Sequence, residues 1–186
     1  MPPKIKIAKE EIISAAVDLV RNRGAESINA RTIALALDCS TQPVFSNFEN
    51  MEELRLAVIE KIDQICQEYI EEEIKKGEYP PYKASGMAYI RFAREEKELF
   101  KLLYMRDRRK ENFVPSATLN DKMETFVKAN TGLDDSDSKL FHLEMWAIVH
   151  GIASMVATDF INLDLNLISR MLSDSYQGLC KQFGKE

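Results

Sequence analysis

Apolar residues recur along most of the chain at the three- and four-residue spacing of amphipathic helices. Most Gly and Pro residues, which interrupt helices, fall at the ends of these periodic segments or between them. The pattern predicts an all-α fold of about nine helices, covering roughly residues 8–23, 29–38, 41–48, 51–77, 82–94, 99–107, 116–130, 134–158 and 165–183. No internal repeat or low-complexity segment is visible in the sequence.

Polar and turn-forming residues mark the ends of the first helices. Gly24 stands where a left-handed residue is expected after a helix, and Asn29 is a suitable N-cap for the second helix. Asp38 tolerates the left-handed conformation of a tight turn, and Ser40 is predicted to cap the third helix. Residues 50–53 resemble a capping box and open the fourth helix. Four helices are therefore predicted within the first 77 residues.

Composition and charge narrow the functional classes. Seven Gly and six Pro in 186 residues are few, which argues against sandwiches and barrels. The net charge of −5 argues against extensive nucleic-acid binding, yet residues 1–48 carry six basic and five acidic groups, so the acidity belongs to the rest of the chain. Cys39, Cys66 and Cys180 form no C-x-x-C pair, which indicates neither a disulfide framework nor a cysteine zinc site. With no apolar leader or span, we expect a cytoplasmic protein without a membrane partner.

The second and third predicted helices are joined by three or four residues. This arrangement describes a helix-turn-helix, in which the second element lies in the major groove of DNA. On the third helix, Val44, Phe45 and Phe48 supply apolar anchoring. Its polar face is formed by Thr41, Gln42, Ser46 and Asn47. Because Gln and Asn can pair bidentately with adenine, this face suits DNA recognition. The spacing alone is also compatible with a small three-helix subdomain that has no DNA-binding role and whose polar helix faces solvent.

Taken together, these residues resemble the N-terminal domain of TetR-family transcriptional repressors. The resemblance covers about residues 8–60 and is carried by Gly24, Ile33-Ala34, Asp38-Cys39-Ser40, Val44-Phe45, Phe48 and Glu52-Glu53-Leu54. It implies that Gln42, Pro43 and Phe45 face DNA. Independently, the guanidinium of Arg31 and the backbone N–H groups near Asn29 are candidate phosphate contacts.

Several positions depart from the pattern of the resembled family. Asp38 stands where Gly is usual, Phe45 and Asn47 where Tyr is usual, and Met51 where a phosphate-binding Lys is common. Because two of these changes remove phosphate contacts, we expect Lys4, Lys6 and Lys9 to compensate. The predicted DNA contacts are Lys4, Lys6, Asn29, Arg31, Ser40, Thr41, Gln42, Pro43, Phe45, Ser46 and Asn47.

The C-terminal part carries a second resemblance. The run from Trp146 to Gly151 resembles the W-x-x-x-H-G signature of one TetR subgroup, and Tyr89-x-x-Phe92-Ala93 and Leu99–Tyr104 are similar to its preceding helices. A repressor must couple an effector to its DNA affinity, so we expect this part of the chain to hold a binding pocket. An adaptable apolar cavity is the candidate pocket. Its predicted lining is Tyr89, Phe92, Phe100, Tyr104, Met123, Phe126, His142, Trp146 and His150, with Tyr89, Tyr104 and His142 as polar groups. His150 is either a satisfied core histidine or a ligand contact.

The last two predicted helices carry long apolar stripes. The stripes are Leu143, Trp146, Val149, Ala153 and Val156 on one helix, and Leu165, Ile168, Leu172, Ser175 and Leu179 on the other. In the resembled family such a pair meets its two-fold copy in a four-helix bundle, and a helix-turn-helix protein needs a dimer to read two half-sites. We therefore expect a homodimer through the last two helices. The alternative is that both stripes are satisfied within the monomer.

Enzyme signatures are missing from the sequence. There is no nucleotide-binding or hydrolase motif and no Glu-x-x-His pair, so we expect no catalytic residues, metal site or cofactor. The predicted organisation is a DNA-binding helix-turn-helix domain at 1–50, a connecting helix at 51–77, and an effector-binding and dimerisation domain at 78–186. The sequence thus predicts a ligand-responsive transcriptional regulator, a repressor that a small molecule releases from a double-stranded DNA operator. The alternative is a helical small-molecule-binding protein with weakened or lost DNA binding.

Overall fold

The computed structural model describes residues 7–107, 109 and 117–184. Within them the chain forms nine α-helices, a short 3₁₀ turn at Ala25–Ser27 and no β-strand. The helices are α1 (Lys9–Arg23), α2 (Ala30–Ala36), α3 (Gln42–Asn47), α4 (Met51–Lys76), α5 (Pro81–Glu95), α6 (Lys97–Tyr104), α7 (Ala117–Thr131), α8 (Asp135–Ala157) and α9 (Leu165–Gln182). The predicted all-α fold is confirmed.

Local side-chain bonds begin α2 and shape the turn that follows it. Asn29 Oδ1 accepts hydrogen bonds from the backbone N–H groups of Arg31 at 3.1 Å and Thr32 at 3.0 Å. The predicted N-cap is therefore confirmed, because two donors of the first turn find a partner in its side chain. Asp38 has a φ of 49°, which confirms the left-handed turn residue between α2 and α3.

The predicted N-cap of α3 is wrong by one residue. The cap position is Thr41, whose side chain makes no capping bond, and Ser40 Oγ accepts only a long bond of 3.4 Å from the backbone N–H of Gln42. Thr41 nevertheless has helical dihedral angles, with φ −71° and ψ −11°, so the hydrogen-bonded helix begins one residue after the backbone has adopted the helical conformation.

Contacts divide the chain into two compact units, one of Met1–Ile65 with Glu96–Phe113 and one of Cys66–Glu95 with Val114–Glu186. In the first unit α1 packs against α2 and α6, and α2 packs against α3. The buried side chains of this unit include Ile12, Val20, Ile33, Val44 and Phe100. The helix-turn-helix therefore shares a core with α6. The functional boundaries at residues 50 and 77 stay predictions.

A tight contact joins α1 and α6 within the first unit. Arg21 Nε donates to both carboxylate oxygens of Glu96, at 2.8 and 3.1 Å. At Gly24 a Cβ would lie 3.1 Å from Glu98 Oε2, and the residue has a φ of 79°. Its ψ of 173° places Gly24 outside the predicted left-handed helical region, although the positive φ still favours glycine.

The second unit is built around the packing of α5 on α8. Both helices also contact α7 and α9. At Gly86 a Cβ would lie 3.3 Å from Val149 Cγ2 and 3.3 Å from Leu172 Cδ1, so glycine allows the close approach. Phe141 at the other end of α8 is fully buried and packs against the rings of Tyr176 and Phe183. These contacts form the core of the second unit.

The apolar stripes predicted on α8 and α9 divide into buried and exposed members. The buried members are Val149, Ala153, Val156, Ile168 and Leu172. The side chains of Leu143, Trp146 and Leu165 are 57%, 40% and 44% exposed. A single chain thus covers one part of the stripes with its own core and leaves the other part exposed to solvent.

Helix α8 is both long and apolar. It is the one helix among the described ranges that is long and apolar enough to cross a membrane on those criteria alone. One third of its apolar window is buried within the chain, and the helix contacts α5, α7 and α9. It is therefore packed in a helical bundle on one side and exposes apolar residues on the other.

Candidate DNA interface and effector site

Helix α3 has a buried side and an exposed side. Val44 and Phe48, four residues apart, are buried and fix the helix on the first unit. Gln42, Phe45 and Ser46 are exposed, and their spacing of three and four residues places them on one face. The Phe45 ring is 56% exposed although it is apolar. The structure thus brings three of the sequence-predicted DNA contacts together on the exposed side of α3.

The polar side chains of α3 differ in their availability. The Gln42 amide makes no hydrogen bond within the part of the chain that the structure describes. Ser46 Oγ donates to the carbonyl oxygen of Gln42 at 2.8 Å. Asn47 Nδ2 donates to the carbonyl oxygens of Pro43 at 2.8 Å and of Ile7 at 3.4 Å. Gln42 is therefore the amide on α3 that is available for the edge of a base.

The candidate phosphate contacts also differ in their availability for a phosphate. Arg31 is exposed and forms no ion pair with the described residues, so its guanidinium is available. Two backbone donors at the start of α2 are already occupied by Asn29. Lys9 Nζ lies 3.0 Å from Glu53 Oε1 and 4.6 Å from the centroid of the Phe48 ring. The predicted contacts Lys4 and Lys6 lie outside the described residues.

The start of α4 is acidic, and a side chain satisfies two of its backbone donors. Asn50 Oδ1 accepts from the N–H groups of Glu52 at 3.0 Å and Glu53 at 2.9 Å. The carboxylate of Glu53 reaches back to the N–H of Glu49 at 2.7 Å, one residue before the position that a capping box requires. This bond, together with Lys9, holds the pKa of Glu53 below its ordinary value. This helix end therefore offers an anionic phosphate little attraction.

Two tyrosine–histidine pairs connect α5 to α8 in the second unit. Tyr82 Oη lies 3.0 Å from His142 Nδ1, and Tyr89 Oη lies 2.9 Å from His150 Nδ1. Because the tyrosines are seven residues apart and the histidines eight, each set repeats after two helical turns. Tyr82 was absent from the predicted lining, although its spacing from Tyr89 was a usable signal.

Acidification should destabilise the fold through His142. Burial lowers the pKa of His142, although the carboxylate of Glu124 partly opposes this, and burial raises the pKa of Tyr82. An exposed histidine has a pKa of about 6.5, so the unfolded chain binds the proton first as the pH falls. The stability that His142 contributes is complete above that value and is lost below it.

The measurement is thermal unfolding at pH 7.5 and pH 5.5, for the wild type and His142→Gln. We expect the wild type to lose more stability between the two pH values than the variant, because other titrating groups are common to both proteins. Equal losses would contradict the assignment to His142.

The second pair continues into an aromatic stack. Trp146 and His150 are stacked, with ring centroids 4.8 Å apart and an interplanar angle of 9°. Ser154 Oγ lies 3.4 Å from His150 Nε2. Both ring nitrogens of His150 therefore have a neighbouring hydroxyl, which favours the core-histidine interpretation.

The candidate effector residues fall into both compact units. Phe100 and Tyr104 belong to the first unit, where their ring centroids are 5.2 Å apart. The remaining candidates, Tyr89, Phe92, Met123, Phe126, His142, Trp146 and His150, belong to the second unit. Phe92 is fully buried and packs edge-on against Tyr69 at 5.4 Å. The lining of an effector pocket stays a prediction. Among the described residues, no group of three or more His, Cys, Asp and Glu side chains could hold a metal ion.

The family of tetracyclin repressor-like C-terminal domains matches residues 82–173. The chain belongs to the TetR family. The matched segment of this TetR-family protein includes both tyrosine–histidine pairs and the Trp146–His150 stack. No curated protein sequence matches the chain.

Solved structures show the same fold over nearly the whole TetR-family chain. A TetR-like transcriptional regulator from Rhodococcus sp. RHA1 has 18% identity and a TM-score of 0.69, covering 97% of this chain and 98% of its own. A TetR-family member from Streptomyces coelicolor A3 has 17% identity and a TM-score of 0.68, covering 90% and 96%. The multidrug binding protein EbrR, complexed with imidazole, has 16% identity and a TM-score of 0.64, covering 90% and 93%.

Proposed function

We propose that the protein is a cytoplasmic, ligand-responsive repressor that binds an operator of two half-sites as a homodimer. The exposed face of α3 carries this proposal. Among the residues that the structure describes, the Gln42 amide has no partner, and the Phe45 ring beside it is available to contact a thymine methyl group. The Arg31 guanidinium, which forms no ion pair with the described residues, is available for a backbone phosphate.

The dimer surface that we propose is the exposed apolar face of α8, defined by Leu140, Leu143, Trp146 and Ala147. The spacing of these residues places them on one side of the helix. Leu143 is 57% exposed in the monomer, and Leu165 and Leu167 at the start of α9 are also exposed. A contiguous apolar surface of this kind marks an interaction site, and a two-fold copy of the same face would cover it.

The proposed regulation is a shift between two populations of the dimer. The free dimer spaces its two copies of α3 for the operator, and an effector in the C-terminal domain favours a spacing that fits poorly. Helix α4 is the proposed mechanical connection, since it begins four residues after α3 and continues unbroken from Met51 to Lys76. An affinity ratio of about 100, or roughly 2.7 kcal/mol, would make a useful switch.

The deciding experiment is a gel-shift titration with DNA flanking the protein's own gene, at several salt concentrations and with excess nonspecific competitor. Specific binding that weakens as salt rises supports the repressor proposal, because phosphate contacts release counterions. Binding no tighter than to the competitor would overturn it.

The second candidate function is small-molecule binding without DNA binding. The acidic start of α4 favours it, because Glu49 and Glu52 are exposed there and Asn50 occupies two backbone donors. Retained ligand binding in a protein that fails the gel shift would support this candidate.

Malachite green is a suitable first ligand probe, because the similarly folded EbrR has been solved in complex with it. The chain has a single tryptophan, Trp146, whose fluorescence can follow the titration. Adding the dye to the operator complex gives the direction of the switch. Release of DNA supports the proposed repressor, whereas tighter binding would reverse the sign of the regulation.

A further inference from the structure

Asn47 joins the recognition helix to the start of α1. Its Nδ2 donates to the carbonyl oxygen of Pro43, one turn earlier in α3, and to that of Ile7, which lies 40 residues earlier in the chain. Asn47 is only half-exposed, unlike its neighbour Ser46. The side chain therefore points toward α1 and away from the exposed face that Gln42 and Phe45 share.

We propose that Asn47 is a positioning residue, which orients α3 through the start of α1, and that it does not read a base. Bidentate recognition of adenine requires one amide donor and one amide acceptor. An amide nitrogen carries two hydrogens, and Nδ2 of Asn47 has two carbonyl partners within the protein, Pro43 at 2.8 Å and Ile7 at the longer distance of 3.4 Å. In this position the donor end of Asn47 is directed at the protein.

A second contact joins the start of α1 to the end of α3. Lys9 Nζ lies 4.6 Å from the centroid of the Phe48 ring, and it also bonds the carboxylate of Glu53 in α4 at 3.0 Å. Lys9 follows Ile7 by two residues, and Phe48 follows Asn47 directly. The start of α1 is thus connected to the end of α3 at two adjacent points. With both connections in place, α3 is held in one orientation before it meets DNA, which lowers the ordering cost of binding.

The test compares Asn47→Ala and Asn47→Asp with the wild type. The Asp variant keeps the size of the side chain and removes both donors. Operator affinity is measured for the intact operator and for operators in which each half-site base pair is changed singly. Asn22→Ala is the matched control, because Asn22 Nδ2 makes the same bond to a carbonyl one turn earlier, to Asp18 at 2.7 Å, without a bond to another helix.

We expect Asn47→Ala to weaken binding by about fivefold, the loss of one modest hydrogen bond, and by the same factor for every operator. Asn22→Ala should leave affinity unchanged. Loss of preference at a single base pair would overturn the proposal, because it would identify Asn47 as a base contact. Unchanged affinity for a folded Asn47→Ala protein would also overturn it.

The DNA part of this inference rests on the proposed function, so a second measurement separates the two. Thermal unfolding of Asn47→Ala, Lys9→Ala and the double variant measures the coupling between the two connections. A double variant whose stability loss differs from the sum of the single losses supports a shared role in positioning α3. If the wild type binds no DNA, the proposed function fails while this coupling still tests the connection. Strict additivity would then overturn the inference.

Discussion

Gln42→Ala is expected to weaken operator binding by about tenfold to hundredfold and to remove base preference at one position of each half-site. The reason is geometric, because Gln42 is exposed at the first position of α3 and its amide is unpaired within the described residues. Phe45 and Ser46 share its face and would stay in place. Fluorescence anisotropy with a panel of single base-pair operator variants measures both effects.

Gln64→Ala is the matched control for that substitution. Gln64 is an exposed amide on α4, away from the reading face of α3, so its removal should change neither affinity nor base preference. If Gln42→Ala binds every operator variant as the wild type does, Gln42 is no base contact. A uniform loss across all variants would instead assign it a contact to the DNA backbone.

Leu143→Asp is expected to convert the proposed dimer into a monomer and to reduce operator affinity by about 100-fold or more. Leu143 is 57% exposed in the single chain, so a carboxylate there leaves the monomer core intact. In the proposed dimer the two-fold axis places the substituted residue on both sides of the interface. Each carboxylate would then be buried without a charge or hydrogen-bond partner, which costs free energy. Losing the second half-site contact removes the avidity of the dimer.

Analytical ultracentrifugation with parallel DNA titration measures the oligomeric state and the affinity of this variant. The control is Leu35→Asp, which exchanges a more exposed leucine, 80% exposed on α2, and should leave the dimer intact. A dimeric Leu143→Asp protein would place the dimer surface elsewhere on the chain. Loss of the dimer in both variants would point to a nonspecific effect of the added charge.

Local signals were sufficient to predict most of the helices. Asn29, Asp38 and Asn50 act through bonds or dihedral angles within a few residues, so their roles follow from residue type and position. The misplaced cap at Ser40 shows the limit of such signals, since adjacent Ser and Thr residues compete for one position.

The lining of an effector pocket is harder to predict from local signals than a helix end. Aromatic residues at helical spacing can line a cavity or fill a core, and the sequence does not distinguish the two. The structure assigns Phe100 and Tyr104 to the unit of the helix-turn-helix and the other candidates to the second unit. It also shows the bond between Tyr82 and His142, which lie 60 residues apart in the chain.

The sequence by itself determined the helices, their order and the residues of the proposed recognition face, because apolar periodicity, capping and turn chemistry act over one or two turns of the chain. Only the tertiary structure decided which of those side chains keep hydrogen-bonding groups available for DNA. Gln42 keeps an amide without a partner among the described residues, whereas the Asn47 amide bonds two carbonyl oxygens, one of them 40 residues away. A hydrogen bond between helices depends on packing in three dimensions, which the local pattern does not contain.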